Sequence, residues 1–335
     1  MTKIHEKSPC CRGDVRRFGG RRRQCCACGK TWRVWKARRG RKKLRISFEL
    51  AHRFVLHRVL PTRAPYAGHR LSRNQRQYRL ILSRHRCVTA CPWPHPPDGA
   101  LIVIADALVK YVGGRWQTWY FMLVRTRTDT VATVLPPYHR SGTETVAGWR
   151  DAFDSLDPAL RDRIEALVCD GHRGLVYEAK WRGWLLQRCH FHLIARIQSR
   201  RSKWRTSRHP EEGKRIFALV KRVLTERTES DIASCITELE AVSWRTPSRD
   251  LAHTLKGFVN HFQEFRTYLQ HPDLKLPTTN NTAEALIGLV EEASRRARGF
   301  RTAAAFHEWV VCVCTTRKTL CCMPGRKDIN HFYQS

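Results

Sequence analysis

The sequence has 335 residues, of which 42% are apolar, and this is enough for two or three compact domains with at least one hydrophobic core. Its 62 Lys and Arg residues outnumber 29 acidic residues and give a formal net charge of +33, which favours a polyanionic partner such as nucleic acid. The composition excludes a disordered tail. No apolar run approaches the ~20 residues of a membrane span and no signal-peptide pattern opens the chain, so we expect no membrane partner and a soluble, intracellular protein.

The first part of the chain is strongly basic. The first 50 residues contain 17 Lys and Arg against three acidic residues, so we expect this segment to contact DNA phosphates. Arg21, Arg22 and Arg23 are the candidate contacts within it. The chain has 14 cysteines, and its sequence shows no secretory-signal pattern. We therefore expect reduced thiols or metal ligands rather than disulfides.

Residues 1–40 contain a zinc-ribbon-like pattern of cysteines. Cys25 and Cys28 have the CxxC spacing of zinc ligands. Cys11 is the third predicted ligand, and either His5 or Cys10 completes the set. The alternative is a metal-free knuckle with spare thiols, although so short a segment would fold poorly without a zinc ion.

Residues 41–97 are predicted to form two helices joined by a turn, with Pro61 ending the first helix. Arg73, Arg76 and Arg79 recur every three residues on the second helix, where Arg side chains can reach phosphates and base edges. The pattern indicates a helix-turn-helix-like DNA-binding region. A solvated cationic face on a packing helix is the alternative.

A proline-rich stretch before residue 98 marks the start of an α/β region. Apolar runs predict a three-strand meander, then a helix capped by Thr143, a returning strand and one further strand. The later part of the chain has helical periodicity and no convincing strand. The predicted divisions are a first core part at 98–195, an all-helical insertion at 196–275, a second core part with a helix at 276–320, and a C-terminal tail at 321–335.

Acidic residues follow apolar runs at positions where α/β sheets carry functional groups. Asp106 and Asp170 each stand at the polar end of a strand-like run, and Glu284 lies in the first turn of a predicted helix. Any one of them alone would more often be a cap or a surface charge. Other possible third acids are Glu144, Glu291 and Glu292.

Three carboxylates that converge on one site repel one another and require a hard divalent cation such as Mg²⁺ or Mn²⁺. Two such ions about 3.5–4 Å apart can activate a water or a DNA 3′-hydroxyl and stabilise the leaving oxygen. This chemistry suits cleavage and transfer of DNA strands.

Four segments, in their order along the chain, resemble a mutator-type bacterial insertion-sequence transposase. They are residues 101–106, 168–175, 187–192 and 278–284. With the Cys25/Cys28 pair the chain is similar to the variant of that family that carries an N-terminal zinc-binding segment, although Ser8 stands in place of the first ribbon cysteine. The resemblance implies an RNase H-like mixed sheet flanked by helices, interrupted by an all-helical insertion, with Asp106, Asp170 and Glu284 as the DDE triad.

The same resemblance assigns Cys189 and His192 to a short Cys-Xaa-Xaa-His motif of the family. Residues spaced by three share one face of a helix. They have a supporting role in this interpretation, either in the wall of the active site or in positioning DNA. A buried thiol and a core histidine are the alternative, and His190 has no assigned role.

The sequence therefore predicts a DNA transposase that binds double-stranded DNA, both the terminal repeats of its element and the target. We expect two Mg²⁺ or Mn²⁺ ions at the carboxylates, a Zn²⁺ in the N-terminal segment, and a homodimer or larger assembly on DNA in the bacterial cytoplasm, associated with the nucleoid. A catalytically silent DNA-binding regulator descended from a transposase is the first alternative. An RNA-binding or ribosome-associated basic protein is the second.

Overall fold

The computed structural model describes residues 7–19, 22–33, 65–66, 69–70, 93–204, 210–246, 248–296 and 300–322. These residues divide into two compact units. The small unit contains the described residues up to position 33 with residues 65, 66 and 69, and the large unit contains residue 70 and the described residues from position 93 onward. The two helices predicted within residues 41–97 lie outside the described residues.

The small unit contains a three-stranded antiparallel sheet in the order β1-β2-β3. Its strands are β1 (Val15–Arg17), β2 (Arg22–Cys25) and β3 (Thr31–Arg33). The turn between β2 and β3 contains Gly29 at a φ of +72°, a left-handed conformation that glycine adopts without strain. Two short strands that pair with each other follow along the chain, β4 (Pro65–Tyr66) and β5 (His69–Arg70).

A seven-stranded mixed sheet forms the centre of the large unit, with the order β11-β10-β6-β7-β8-β12 and β9 beside β7. The strands β10 and β11 run parallel to β6, whereas β7 runs antiparallel to it. The strands are β6 (Leu101–Val112), β7 (Arg115–Arg125), β8 (Val131–Val134), β9 (Tyr138–Ser141), β10 (Ile164–Cys169), β11 (Leu185–Arg188) and β12 (Thr319–Cys321).

The strand β6 is longer than the apolar run 100–106 indicated, and this corrects the predicted position of Asp106 at a strand end. Asp106 does not stand at the end of β6, because the strand continues past it and pairs Asp106 with Phe121 of β7. The two strands join through Gly113 and Gly114, which both have positive φ and form the two-residue turn that antiparallel strands prefer. Asp106 therefore lies in the middle of a regular strand.

The helices of the large unit lie on the chain in two groups. Those between the strands are α1 (Val146–Asp154), α2 (Pro158–Arg161) and α3 (Arg173–Arg182). Those after β11 are α4 (His190–Trp204), α5 (Pro210–Thr225), α6 (Glu229–Arg245), α7 (Arg249–His261), α8 (Thr267–Gln270), α9 (Asn281–Arg296) and α10 (Ala303–Thr316), with 3-10 turns at Phe262–Phe265 and Pro272–Leu274. The N-cap of α1 is Thr145 and not Thr143, since the hydroxyl of Thr145 accepts the backbone N–H of Gly148.

Two hydrophobic clusters hold these elements together. The first packs α1 and α3 against one face of the sheet, with Trp149 and Phe153 fully buried among β6 and β7 side chains. The second joins α4 to α7 through residues such as Val223 and Leu255. The described part of the chain is thus a mixed α/β structure with a mixed sheet flanked by helices, as predicted, and none of its helices combines the length and apolar character needed to cross a membrane.

Candidate functional site

Four cysteine thiols converge in the small unit. The Sγ atoms of Cys10 and Cys28 are 3.2 Å apart, as are those of Cys11 and Cys25. All four sulfur atoms lie within 4.8 Å of one another, so the cluster can hold a zinc ion with four thiolate ligands. Cys10 is therefore the fourth member of the predicted set, and His5, the alternative ligand, lies outside the described residues.

Ser8 supports this cluster from the position where a further ribbon cysteine was expected. It is buried, and its hydroxyl lies 3.5 Å from the Sγ of Cys10 and 3.6 Å from that of Cys11. Hydrogen bonding, first from Ser8 and then from the backbone of Cys28, lowers the pKa of Cys25 to about 6. This favours the thiolate, which is the form that binds a metal ion.

The arginines predicted to contact DNA differ in how far the structure describes them. Arg22 is exposed on β2 and Arg23 is half-buried, with its guanidinium donating to the carbonyl of Arg22. Arg21 lies outside the described residues. The same holds for the predicted helical contacts Arg73, Arg76 and Arg79.

In the large unit, two carboxylates lie on neighbouring parallel strands. The register pairs Ile104 of β6 with Val168 of β10, so Asp106 and Asp170, each two residues farther along the chain, are neighbours. Because β10 ends at Cys169, Asp170 follows a strand end as predicted. One oxygen of Asp170 accepts the backbone N–H of His172, and this fixes the carboxylate at the start of α3.

Asp106 is in an environment that disfavours its charge. Burial, followed by the charges of Asp170, Glu284 and Glu144, raises the pKa of Asp106 to about 8. Its Oδ1 accepts the backbone N–H of Ala107, and its Oδ2 accepts the side-chain amide of Asn280 at 3.1 Å. The charges of three further acids thus act on Asp106.

Glu284 enters the site from the first turn of α9. Burial, together with the charge of Asp170, raises its pKa, while His192 opposes the shift. The Nδ1 of His192 is 3.3 Å from the Oε1 of Glu284, and with the Sγ of Cys189 these ligand atoms lie within 4.8 Å of one another. Cys189 and His192 thus lie beside Glu284, whereas the ligand atoms of Asp106, Asp170 and Glu284 do not form such a tight group in the described residues.

Cys189 is fully buried, and its role is visible in its contacts. Its Sγ accepts the backbone N–H of Asn280 at 3.5 Å, and its own backbone N–H donates to the carbonyl of Cys169. Burial raises the pKa of the Cys189 thiol to about 12. The residue therefore joins the end of β10 to the segment that leads into α9.

Glu144 is a further acid at the edge of the group, in a pocket shared with α1 and α3. It accepts the indole N–H of Trp149 at 2.7 Å, and its Oε1 lies 3.1 Å from the Nδ1 of His172. Burial raises its pKa. Glu291, by contrast, lies two turns farther along α9 than Glu284. Neither Glu291 nor Glu292 is among the main causes of the raised pKa of Asp106.

A cavity of about 480 Å³ opens beside Asp170 and extends between α3 and α7. Its basic lining residues are Arg173, Lys180, Arg188 and Arg196, and its acidic ones are Asp170 and Glu264. Gly171 is required at its edge, because a side chain there, at a φ of +90°, would collide with the guanidinium of Arg188. The cavity thus joins the carboxylate group to a basic surface.

Sequence reasoning missed two buried residues that organise this site. Asn280 is fully buried and binds Asp106, and it lies one helical turn before Glu284. His190 donates its backbone N–H to Thr278 and pairs its Nε2 with the carbonyl of Phe265 at 2.7 Å, while burial lowers its pKa to about 4. The only signal for Asn280 was its spacing from Glu284, and no pattern pointed to His190.

Comparison of the sequence with protein-family models and with curated proteins finds no match.

Proposed function

We propose that this chain is a DDE-type DNA transposase in which Asp106, Asp170 and Glu284 are the catalytic carboxylates. The observation that carries the proposal is that these acids, drawn from a strand, a strand end and a helix, lie close enough for the charges of Asp170 and Glu284 to raise the pKa of Asp106 and for that of Asp170 to raise the pKa of Glu284. Such repulsion is costly to a structure unless cations offset it in the working state.

The fold supports an RNase H-like core. Three antiparallel strands, β6 to β8, are followed by two strands parallel to β6, with helices α1 and α3 packed on the same face. The segment from α4 to α8 has a hydrophobic core of its own and separates β11 from the helix that carries Glu284. This is the arrangement expected of an RNase H-like sheet with a helical insertion.

The donor set fits hard divalent ions, since all three groups are carboxylates. Asp106, Asp170 and Glu284 would hold two Mg²⁺ or Mn²⁺ ions. When bound, these ions supply an activated oxygen nucleophile and neutralise charge on the phosphate under attack. Within the protein, Asn280 orients Asp106 through its amide, and the backbone N–H of His172 orients Asp170.

The positive charge of the chain supports the binding of DNA. The formal net charge of +33 matches a polyanion, and the cavity beside Asp170 has four Lys and Arg side chains against two acids. The small unit, which contains the four-cysteine cluster, has Arg22 and Arg23 on the central strand of its sheet. These arginines are further candidates for contacts with phosphates. We place recognition of the element's terminal repeats in the N-terminal region.

The test is strand cleavage and joining by the purified protein on DNA that carries the ends of its element, with Mg²⁺ or Mn²⁺. Glu284→Gln and Asp170→Asn should each lower the rate by roughly a thousandfold or more, because the loss of a metal ligand removes several kcal/mol of transition-state stabilisation. Glu291→Gln is the matched control, since this acid lies on the same helix outside the site. It should stay within about twofold of the unchanged protein.

Two results would contradict the proposal. Equal loss in Glu284→Gln and Glu291→Gln would remove Glu284 from the catalytic set. Tight binding of the DNA ends without any chemistry, in the unchanged protein and with either metal, would favour a catalytically silent DNA-binding regulator.

A further inference from the structure

The outer face of α3 combines exposed aromatic rings with basic side chains. Arg173, Tyr177 and Trp181 recur every four residues, which is the spacing of one helix face. Tyr177 and Trp181 keep 47% and 59% of their surface exposed, although aromatic side chains of this size usually find a place in a core. Lys180 is exposed on the same side of the helix.

Cations contact both of these rings. The guanidinium of Arg150 lies 5.4 Å from the ring centre of Tyr177 and 5.3 Å from that of Trp181, and that of Arg182 lies 4.9 Å from Trp181. Arg150 and Arg182 are themselves fixed by ion pairs to Glu178, which is fully buried on the inner side of α3. The rings of Tyr177 and Trp181, together with the cations that contact them, form what we call the platform. Its side chains are already fixed in the free protein, so little conformational entropy is lost when a ligand stacks on the rings.

The platform is continuous with the cavity beside Asp170. Arg173, Tyr177 and Lys180 line that cavity as well as belonging to the outer face of α3. Deeper in the cavity, Arg188 lies over the ring of Phe265 at 4.8 Å, and its Nε has no hydrogen-bond partner among the described residues. A track of rings and cations thus leads from the protein surface to a carboxylate of the candidate site.

We propose that the face of α3 formed by Arg173, Tyr177, Lys180 and Trp181 binds single-stranded DNA, with unpaired bases stacked on the two rings and phosphates on the cations. Bases in a duplex have their faces covered by neighbouring pairs, so only an unpaired base can use an exposed ring in this way. Basic side chains without rings would be sufficient for a duplex, which is bound through its phosphates.

The inference rests on the proposed function in one respect, since a strand that is cut beside Asp170 supplies the unpaired nucleotides. The formal net charge of +33 favours a polyanion over an apolar protein surface, although Lys180 pairs with Glu264 at 2.7 Å in the free protein. The role assigned to the platform is to hold the freed strand near the carboxylates, and it needs no chemistry of its own.

The experiment measures binding of the full-length protein to fluorescently labelled oligo(dT) of about 15 nucleotides, within the site size of such grooves, and to a duplex of equal length, in EDTA so that no cleavage occurs. Trp181→Ala should weaken binding of oligo(dT) by roughly 5- to 100-fold and binding of the duplex by less than about twofold. Trp181→Phe should restore most of the affinity, because it keeps an aromatic face.

Trp244→Ala is the matched control. Trp244 is 76% exposed and has a cation, Lys256, 4.8 Å from its ring centre, but it belongs to α6 and not to the face of α3. Its removal should leave both affinities unchanged. Equal losses in the Trp181 and Trp244 variants, or equal losses on oligo(dT) and duplex, would overturn the proposal. So would a loss confined to oligo(U) or to anionic lipid vesicles, which would assign the face to RNA or to a membrane surface.

A second measurement takes its main result from the unchanged protein, so that result does not depend on whether a variant folds. Oligo(dT) with 5-iodouracil in place of some thymines is irradiated with the unchanged protein, and the crosslinked peptides are identified by mass spectrometry. Crosslinks to Tyr177 or Trp181 support the proposal, and crosslinks found only at other aromatic residues contradict it. Asp106→Asn should show the same crosslinks, because crosslinking reports only binding to the face of α3. The catalytic proposal is tested separately, by the strand-joining assay.

Discussion

The cysteine cluster and the carboxylate group differ in the way that the free protein treats their charges. At the cysteines, hydrogen bonds from Ser8 and from the backbone lower the pKa of Cys25 to about 6. Against the opposing effect of the Lys30 backbone, the Cys10 thiol raises the pKa of Cys28 to about 12, so before any metal arrives a thiolate is favoured at Cys25 and not at Cys28. At the carboxylates, burial and mutual repulsion raise the pKa of Asp106 to about 8. The first group thus holds one thiolate ready to bind a metal ion, whereas the second keeps its buried aspartate protonated at neutral pH.

The two groups also differ in how they are built. The cysteines come from positions 10 to 28, around one small sheet. The carboxylates come from a strand, a strand end and a helix start, and the segment before Glu284 is held by buried contacts to the sheet. Local spacing can encode the first group, whereas the second depends on tertiary contacts far apart in sequence.

The largest expected effect is at the cysteine cluster. Cys25→Ser should lose bound zinc and the structure of residues 7–33, because a structural zinc ion contributes about 10–16 kcal/mol to the folding of small zinc-dependent segments. Metal content and limited proteolysis measure the two effects. Cys26→Ser is the control, since Cys26 is exposed and lies outside the four-thiol group. If Cys25→Ser keeps its zinc and its resistance to protease, the cluster is not a zinc site.

A smaller effect, on the free energy of unfolding, tests the buried contacts that hold the segment before α9. Arg125 is fully buried, and its guanidinium donates to the backbone carbonyls of Lys275, Asp129 and Thr126. Arg125→Met leaves these carbonyls without a donor and should lower the free energy of unfolding by about 2–4 kcal/mol in urea titrations.

The control for this change lies two residues away. Arg127 is exposed and forms surface ion pairs with Glu165 and Asp273, so Arg127→Met should cost less than about 1 kcal/mol. Similar losses in the two variants would mean that the buried contacts of Arg125 do not stabilise the segment before α9.

The smallest effect concerns the repulsion at Asp106. Because its folded pKa of about 8 lies above its unfolded value, the folded protein keeps a proton that the unfolded chain has lost, and stability falls as pH rises from about 4 to 8. Asp106→Asn should therefore stabilise the metal-free protein by about 0.5–2 kcal/mol at pH 8 and by less at pH 5. The amide of Asn280 can rotate to match the new side chain, since its Oδ1 has no partner among the described residues.

Asp129 provides a control of opposite sign. Hydrogen bonds from the hydroxyl and then the backbone N–H of Thr126 lower its pKa, so it stabilises the folded state above its unfolded pKa and loses this contribution as pH falls. Asp129→Asn should destabilise the protein at pH 7 in thermal denaturation. A gain in stability from Asp129→Asn, or a loss from Asp106→Asn at pH 8, would contradict the assigned environments.

The sequence predicted those features that depend on local pattern. The strands around Asp106 and Asp170 were found from apolar runs, and three of the zinc-cluster cysteines from spacing. Beyond this, Asp106 was misplaced at a strand end, because a polar residue within a strand interrupts the run in the same way as a terminus. The short strands β9 and β12 were missed, since a strand of three or four residues owes its existence to its partners in the sheet.

Asn280 and Cys189 show why the interior of the site was harder to predict than its acids. Asn280 is 174 residues from Asp106, and Cys189 is 91 residues from Asn280. Nothing in either residue type distinguishes a buried partner from a surface residue before the contact is seen. The carboxylates could be proposed from their positions together with the family resemblance, but the groups that orient them could not.

The separation of the carboxylates along the chain has a consequence for synthesis on the ribosome. The four cysteines emerge almost together, so the small unit can bind its ion early. Asp106 and Asp170 must wait for Glu284, and at about 5–20 residues per second that delay is roughly 6–23 s for Asp170 and roughly 9–36 s for Asp106. During this time β6 and β10 can pair, but their two aspartates lack the acid and the amide contributed by the segment that leads into α9. A nascent chain therefore contains no complete acidic site until this late segment has docked.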